Sequence, residues 1–332
     1  MSKPMIHVSQ LSKSYEIHHR DSGILGAIKG LFTKDIEIKM AVNDISFSIE
    51  EGESVAYIGG NGAGKSTTIK MLTGILTPTS GQIFVNGISP HRNRIQNAQH
   101  VGVVFGQRTQ LIWDITPMDT YQLLKHIYEI SEIDFKRRLD YFIDELSLQH
   151  LLARPVRQLS LGERMRCEFL AAFLHNPKVI YLDEPTIGLD VAVKARIRQF
   201  IRDVNREYGT TIILTSHDMS DIEGICNRFM IIDEGKLIYD GNYQNLQKKF
   251  GQQRIIELEL EHADRFEVPS VFGSFVHRVP SDEGIIKLAF DSEQISASEV
   301  SRVVMSLYTV RDMKILEPKI EHIVQHILEK RM

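Results

Sequence analysis

The run Gly59-Gly60-Asn61-Gly62-Ala63-Gly64-Lys65-Ser66 has the composition and spacing of a loop that grips phosphate, the pattern G-x-x-x-x-G-K-[ST]. Glycines let the backbone pass close to an anion with its N–H groups turned inward, and a helix starting behind them adds a positive end. In such a loop the Lys65 ammonium reaches the β- and γ-phosphates and the Ser66 hydroxyl holds Mg²⁺, with Thr67 beside it at the start of the helix. A dinucleotide fingerprint fails on spacing, because Gly60 and Gly62 are followed by Lys65 where a third glycine belongs. A second constellation is Val179-Ile180-Tyr181-Leu182-Asp183-Glu184, an apolar strand that ends in two carboxylates. Such a strand delivers Asp183 to the Mg²⁺ shell and Glu184 to the water that attacks phosphorus. The two motifs together describe a nucleoside triphosphatase and leave kinase, GTPase and motor open.

These groups need elements to hold them. The pattern predicts a short buried strand at 54–58 running into the glycine loop and a helix at 65–76, with further apolar strands at 101–105, 179–183, 211–215 and 229–233. Several of these strands are separated by helical patterns, which is the signature of an α/β layer with a parallel sheet. Ile6 and Val8, then Ile45, Phe47 and Ile49, alternate with polar residues as in half-buried antiparallel strands. Between them Ile24, Leu25, Ile28, Leu31 and Phe32 fall at helical spacing and predict an amphipathic insert over about 18–38. From 119 to 148 the chain reads as helical, with Phe135, Leu139, Phe142, Ile143 and Leu146 on one face and Asp134 as the N-cap. Beyond residue 250 the alternations Ile256/Leu258/Leu260 and Ile286/Leu288/Phe290 predict strands. Val300, Val304 and Leu307 predict a helix, and a last helix starts at Glu317-Pro318. The domains expected are therefore 1–245 and a small α+β domain at 250–332.

Composition narrows the setting. The chain has 332 residues, 42% hydrophobic and 25% charged, long enough for two domains and too apolar for a disordered chain. Lys+Arg 39 against Asp+Glu 43 leaves a net charge of -4, which argues against a dedicated nucleic-acid binder. Two cysteines, Cys167 and Cys226, and a start without an apolar leader point to a reducing cytoplasm. No run approaches the roughly 18 apolar residues of a membrane-spanning helix.

With Leu159-Ser160-Leu161-Gly162-Glu163 added, the sequence resembles the ATP-binding cassette (ABC) ATPases over about residues 4–245. Their signature has the form LSGGQ; Leu161 and Glu163 depart from it, whereas Ser160 and Gly162 are retained. The resemblance implies that Ser160 and Gly162 meet the γ-phosphate held by an opposite subunit. It also implies that Tyr15 stacks on adenine, Gln107 is the glutamine linking Mg²⁺ and water to the helical subdomain, Asp190 of Gly188-Leu189-Asp190 belongs to the D-loop, and His217 is the switch histidine. The implied fold is α/β, a P-loop NTPase cassette. It comprises a RecA-like parallel sheet core, an antiparallel β subdomain and a helical subdomain at about 108–158, followed by the α+β accessory domain.

The implied activity is hydrolysis of ATP with Mg²⁺, coupled to transport through integral membrane permease subunits. A second cassette would be the partner, at the cytoplasmic face of the membrane. The stretch from Ser160 to Arg166, the run Asp183-Glu184-Pro185-Thr186-Ile187-Gly188-Leu189-Asp190 and the appended domain look most like the exporter-type subset that includes drug-resistance ATPases. A polysaccharide or lipid exporter is the alternative within transport. A ribosome- or DNA-acting ABC protein is the alternative outside it, disfavoured by a single phosphate loop and the absence of a heptad array.

Overall fold

The computed structural model describes residues 3–18, 36–106, 109–216, 218–250, 253–281, 284–316 and 323–324. Residues 19–35 of the predicted insert at 18–38, Gln107, His217 and nearly all of the last predicted helix lie outside the described residues, while residues 18 and 36–38 belong to strands rather than to the insert. The chain divides into two compact units, Met1–Asp240 and Gly241–Met332.

In the first unit β1 (Ile6–His18) pairs antiparallel with β2 (Ile36–Ile49) and with β4 (Ser80–Val85), giving a sheet of order β2-β1-β4. A second sheet has order β5-β6-β7-β3-β8-β9, built from β3 (Ser54–Ile58), β5 (Val101–Phe105), β6 (Val179–Asp183), β7 (Thr211–Thr215), β8 (Arg228–Asp233) and β9 (Lys236–Asn242). Its β5–β6, β6–β7, β7–β3 and β3–β8 pairs are parallel. The predicted strands are therefore neighbours in one layer, and their near-continuous apolar runs follow from burial on both faces.

Between the sheets lies one core, in which Ile6, Val8, Ile45 and Phe47 meet Val55, Tyr57, Val179, Tyr181 and Ile213. The helix α1 (Lys65–Leu72) packs there through Ile69 and Leu72. It stops earlier than the predicted residue 76, because Thr73 caps it and Gly74 turns the chain at φ 80. The next helix, α2 (Arg94–Ala98), is a short connector.

The predicted helical stretch is two helices, α3 (Pro117–Ile127) and α4 (Glu132–Leu146). Ser131, not Asp134, is the N-cap of α4: its hydroxyl accepts the Asp134 N–H at 3.1 Å. Asp134 sits one turn inside, where a carboxylate still favours the helix dipole. The following α5 (Leu161–Phe173) and α6 (Val191–Tyr208) are tied to α4 by an aromatic cluster. Phe200 lies 5.4 Å from Phe142 and 5.2 Å from Phe173 between ring centroids, both edge-on. The last helix before β8 is α7 (Met219–Ile225). Cys167 and Cys226 are buried and unbridged.

The second unit begins with α8 (Tyr243–Phe250) and holds an antiparallel sheet of order β11-β12-β10-β13. Its strands are β10 (Gln253–Leu260), β11 (Val276–Val279), β12 (Ile285–Asp291) and β13 (Val310–Leu316), with α9 (Ala297–Leu307) preceding the last. Ile256, Leu258, Ile286, Leu288 and Phe290 form its core with Val300 and Val304 of α9. Leu307 departs from its predicted place on the buried face and is 60% exposed, because the helix ends there. No helix among the described residues is long and apolar enough to cross a membrane.

Candidate functional site

Strand β3 ends at the glycine loop, and two of its glycines are there because nothing larger fits. A Cβ on Gly59 would lie 2.2 Å from the Ile232 carbonyl oxygen of β8. One on Gly64 would lie 2.4 Å from the Ala41 carbonyl oxygen, and Gly64 has φ 108, which L side chains rarely adopt. The buried Lys65 reaches back over the loop, its Nζ donating to Gly59 O at 2.7 Å and Gly60 O at 3.0 Å. Burial lowers the pKa of the Lys65 ammonium, while the carboxylates of Glu184 and Asp183 raise it in return. A cation is thus seated in the loop with two of its three N–H groups committed to holding the loop's shape.

The carboxylates arrive from the centre of the sheet. Register places Asp183 opposite Phe105 on one side and Thr215 on the other. Thr215 Oγ1 donates to Asp183 Oδ1 at 2.6 Å and Ser66 Oγ donates to Asp183 Oδ2 at 3.1 Å, so both carboxylate oxygens are fixed. The next residue turns sharply: Glu184 has φ 54, in the left-handed region that a non-glycine enters only when its surroundings impose it. Its N–H donates to Thr215 O and to Thr215 Oγ1, each at 3.1 Å. Gly106 packs against its other side, where a Cβ would come within 2.1 Å of Glu184 O. Gly60, Asn61, Gly62, Gly64, Lys65, Ser66, Thr67, Asp183 and Glu184 line a cavity of about 470 Å³. The volume suits a ligand of nucleotide size.

The other predicted residues sit elsewhere. Tyr15, on β1 opposite Lys39, is 39% exposed with the Lys13 ammonium 5.3 Å from its ring centre, and it is not among the cavity's described lining residues. Ala63 is buried behind the loop. Ser160 is the N-cap of α5 in a capping box: its hydroxyl accepts the Glu163 N–H at 3.3 Å, and Glu163 Oε2 accepts the Ser160 N–H at 2.8 Å. Gly162, in the first turn, sits against Val193 of α6. Asp190 caps α6 by accepting the N–H groups of Ala192 and Val193, both at 3.0 Å. Ser160, Gly162 and Asp190 do not line the cavity.

Sequence reasoning missed Thr215, Gly106, Lys70 and Ile75, although Thr215 orients Asp183 and the other three line or back the cavity. The signal for Thr215 was its place at the end of an apolar strand, but only the strand register says which carboxylate it faces. It also missed Glu168 of α5, a buried carboxylate. Glu168 takes the N–H of Gln110 and, at 3.2 Å, the hydroxyl of Thr109. That carboxylate anchors the segment after residue 108 to the helix that Ser160 opens.

Comparison with known proteins agrees with this architecture. The family model described as ABC transporter matches residues 42–187. The chain is 32% identical over 210 residues to the ABC transporter ATP-binding protein NatA of Bacillus subtilis, a match covering 63% of this chain and 85% of that one. It is 30% identical over 293 residues to the linearmycin resistance ATP-binding protein LnrL of the same organism, covering 86% and 92%. A solved ATP-binding subunit of an ABC transporter superposes with a TM-score of 0.64 at 26% identity, over 74% of this chain and 93% of that one.

Proposed function

The chain belongs to the ABC transporter family, among its ATP-binding proteins, and from that premise we propose that it hydrolyses ATP to drive export through separate membrane permease subunits. The observation that carries the hydrolytic part is the convergence of Lys65, Ser66, Asp183 and Glu184 on one cavity, with Asp183 held from both sides by Ser66 and Thr215. The loop's N–H groups and the start of α1 receive the β- and γ-phosphates, and the remaining N–H of Lys65 is placed for a phosphate oxygen. Ser66 Oγ and the Asp183 carboxylate form an all-oxygen pair that suits a hard cation, and these two residues would hold Mg²⁺. When bound, Mg²⁺ supplies neutralisation of charge on the phosphate oxygens.

Glu184 accepts a proton from water as the water oxygen attacks the γ-phosphorus and the bond to the ADP oxygen breaks. Its imposed backbone turn holds Glu184 just past the end of β6, on the lining of the cavity. His217 and Gln107 are assigned by the family pattern to the γ-phosphate and to the Mg²⁺–water link, and Tyr15 to the adenine ring. Ser160 and Gly162, at the positive end of α5, are assigned to the γ-phosphate of a second cassette, with Asp190 near the same junction. Export is favoured over import by the likeness to a drug-resistance ATP-binding protein along most of both chains.

The test is Glu184→Gln. It should lose turnover, keep ATP affinity and accumulate as a nucleotide-dependent dimer on size exclusion. Hydrolysis at the parental rate would show that Glu184 is not the base. Purification from detergent-solubilised membranes without any integral membrane partner would remove the transport part.

A further inference from the structure

The carboxylate of Asp221, on α7, is fully buried and does not line the nucleotide cavity. Burying a charge is unfavourable unless partners surround it, and Asp221 has three, each from a different part of the chain. Its Oδ2 accepts the hydroxyl of Thr186, two residues beyond Glu184. The same oxygen accepts Ser216 Oγ at 3.3 Å, and its Oδ1 pairs with Arg198 Nη1 of α6 at 3.3 Å. Thr186 and Ser216 are themselves buried.

The contacts form a pattern on α6. Lys194, Arg198 and Arg202 are spaced four residues apart and so share one face. Lys194 reaches Asp218 at 2.6 Å, Arg198 reaches Ser220 Oγ at 2.8 Å as well as Asp221, and Arg202 reaches Gly224 O at 3.0 Å. The helix that follows Asp190 is thereby clamped along α7. Asp221 extends that clamp to Thr186 in the turn carrying Glu184 and to Ser216, which also accepts the Asp218 N–H at 3.0 Å. The turn needs such a hold. The left-handed Glu184 is pinned by Thr215 on its N-terminal side, and the Thr186–Asp221 bond is the matching restraint on its C-terminal side.

We propose that Asp221 is a positioning residue for hydrolysis: through Thr186 and Ser216 it fixes the Glu184 turn and the segment on either side of residue 217 in one geometry. This rests on the hydrolytic role of Glu184 given above. The effect belongs to kcat, because the phosphate loop and α1 are not part of the network.

The experiment compares the full chain with Asp221→Asn, Thr186→Val and Arg202→Ala, measuring kcat and KM for ATP, nucleotide bound per chain, and melting temperature. Asp221→Asn leaves Arg198 facing an amide, and Thr186→Val removes only a hydroxyl without changing shape. Arg202→Ala loosens α6 from α7 without touching Asp221. Expected is a kcat per bound nucleotide about tenfold lower for Asp221→Asn and about threefold lower for Thr186→Val, with KM and Arg202→Ala turnover within about twofold of the parent. If Asp221→Asn fails to fold, Thr186→Val decides. Turnover within about twofold of parental in the variants that fold, or an equal fall in Arg202→Ala at matched stability, overturns the positioning role. Loss of turnover in the parent chain itself would sink both this role and the assignment of Glu184, and would be seen before any variant is compared.

Discussion

Ser66 and Asp183 are 117 positions apart in the chain and meet at the edge of the glycine loop, with Ser66 Oγ donating to Asp183 Oδ2 at 3.1 Å. The contact joins the first residues of α1 to the last residue of β6, so loop and carboxylate share one oxygen-rich corner.

Removing either partner should act on the metal rather than on the fold. Ser66→Ala is expected to lower turnover by about 100-fold at low Mg²⁺, with partial recovery as Mg²⁺ is raised, since the proposed ligand is lost and Asp183 remains. Its melting temperature should stay close to the parent's. A Mg²⁺ titration of the ATPase rate checks this, and an unchanged Mg²⁺ dependence would take Ser66 out of the metal's shell.

Gly106→Ala tests how tightly the Glu184 turn is backed. A Cβ there would sit 2.1 Å from Glu184 O, whereas one on Gly60 would meet nothing within 4 Å. The first substitution should cost about 2 kcal/mol in urea unfolding and also slow hydrolysis, and the second should leave stability nearly unchanged. Equal unfolding midpoints for the two variants would contradict the packing described.

Glu168 should make stability depend on pH. Burial raises its carboxyl from 4.5 to about 7, against hydrogen bonds from Gln110 and Thr109 that lower it. The folded state then binds the proton more tightly than the unfolded state. The resulting stabilisation is complete below about pH 4.5 and is lost as pH rises through about 7. Glu168→Gln should remove a slope of about 3 kcal/mol across that window, read from urea midpoints at several pH values.

His175 should give the opposite slope. It is stacked on Tyr128 with centroids 4.0 Å apart and its Nε2 lies 3.1 Å from Val101 O. Burial lowers its pKa from 6.5 to about 4, so the folded state prefers the neutral ring. Its contribution is present above pH 6.5 and is lost as pH falls toward 4. Replacing His175 with Gln should flatten the acid side of the stability profile. A steeper acid side in that variant would show that the buried ring is already charged.

Much of the fold was legible because its causes are local. The apolar runs at 54–58, 101–105, 179–183 and 211–215 are strands, since a strand buried on both faces must be apolar throughout. Ser131 was harder to see as a cap than Asp134, because both residue types cap helices and only the backbone angles distinguish them. The strands β4, β9, β11 and β13 were not anticipated: their exposed and partly buried positions break the alternation on which the prediction relied.

By itself the sequence singled out the glycine loop and the pair Asp183-Glu184, which line one cavity in the fold, because both are written in contiguous residues with a characteristic spacing. With Leu159-Ser160-Leu161-Gly162-Glu163 lying between them, it also pointed to the ABC transporter family, to which the chain belongs. Only the tertiary structure decided that Thr215 faces Asp183, that Gly106 backs Glu184, and that Asp221 reaches Thr186 and Ser216. Strand order and register bring those residues together. They are set by the burial of whole layers against one another, a choice made across more than a hundred residues that no short window contains.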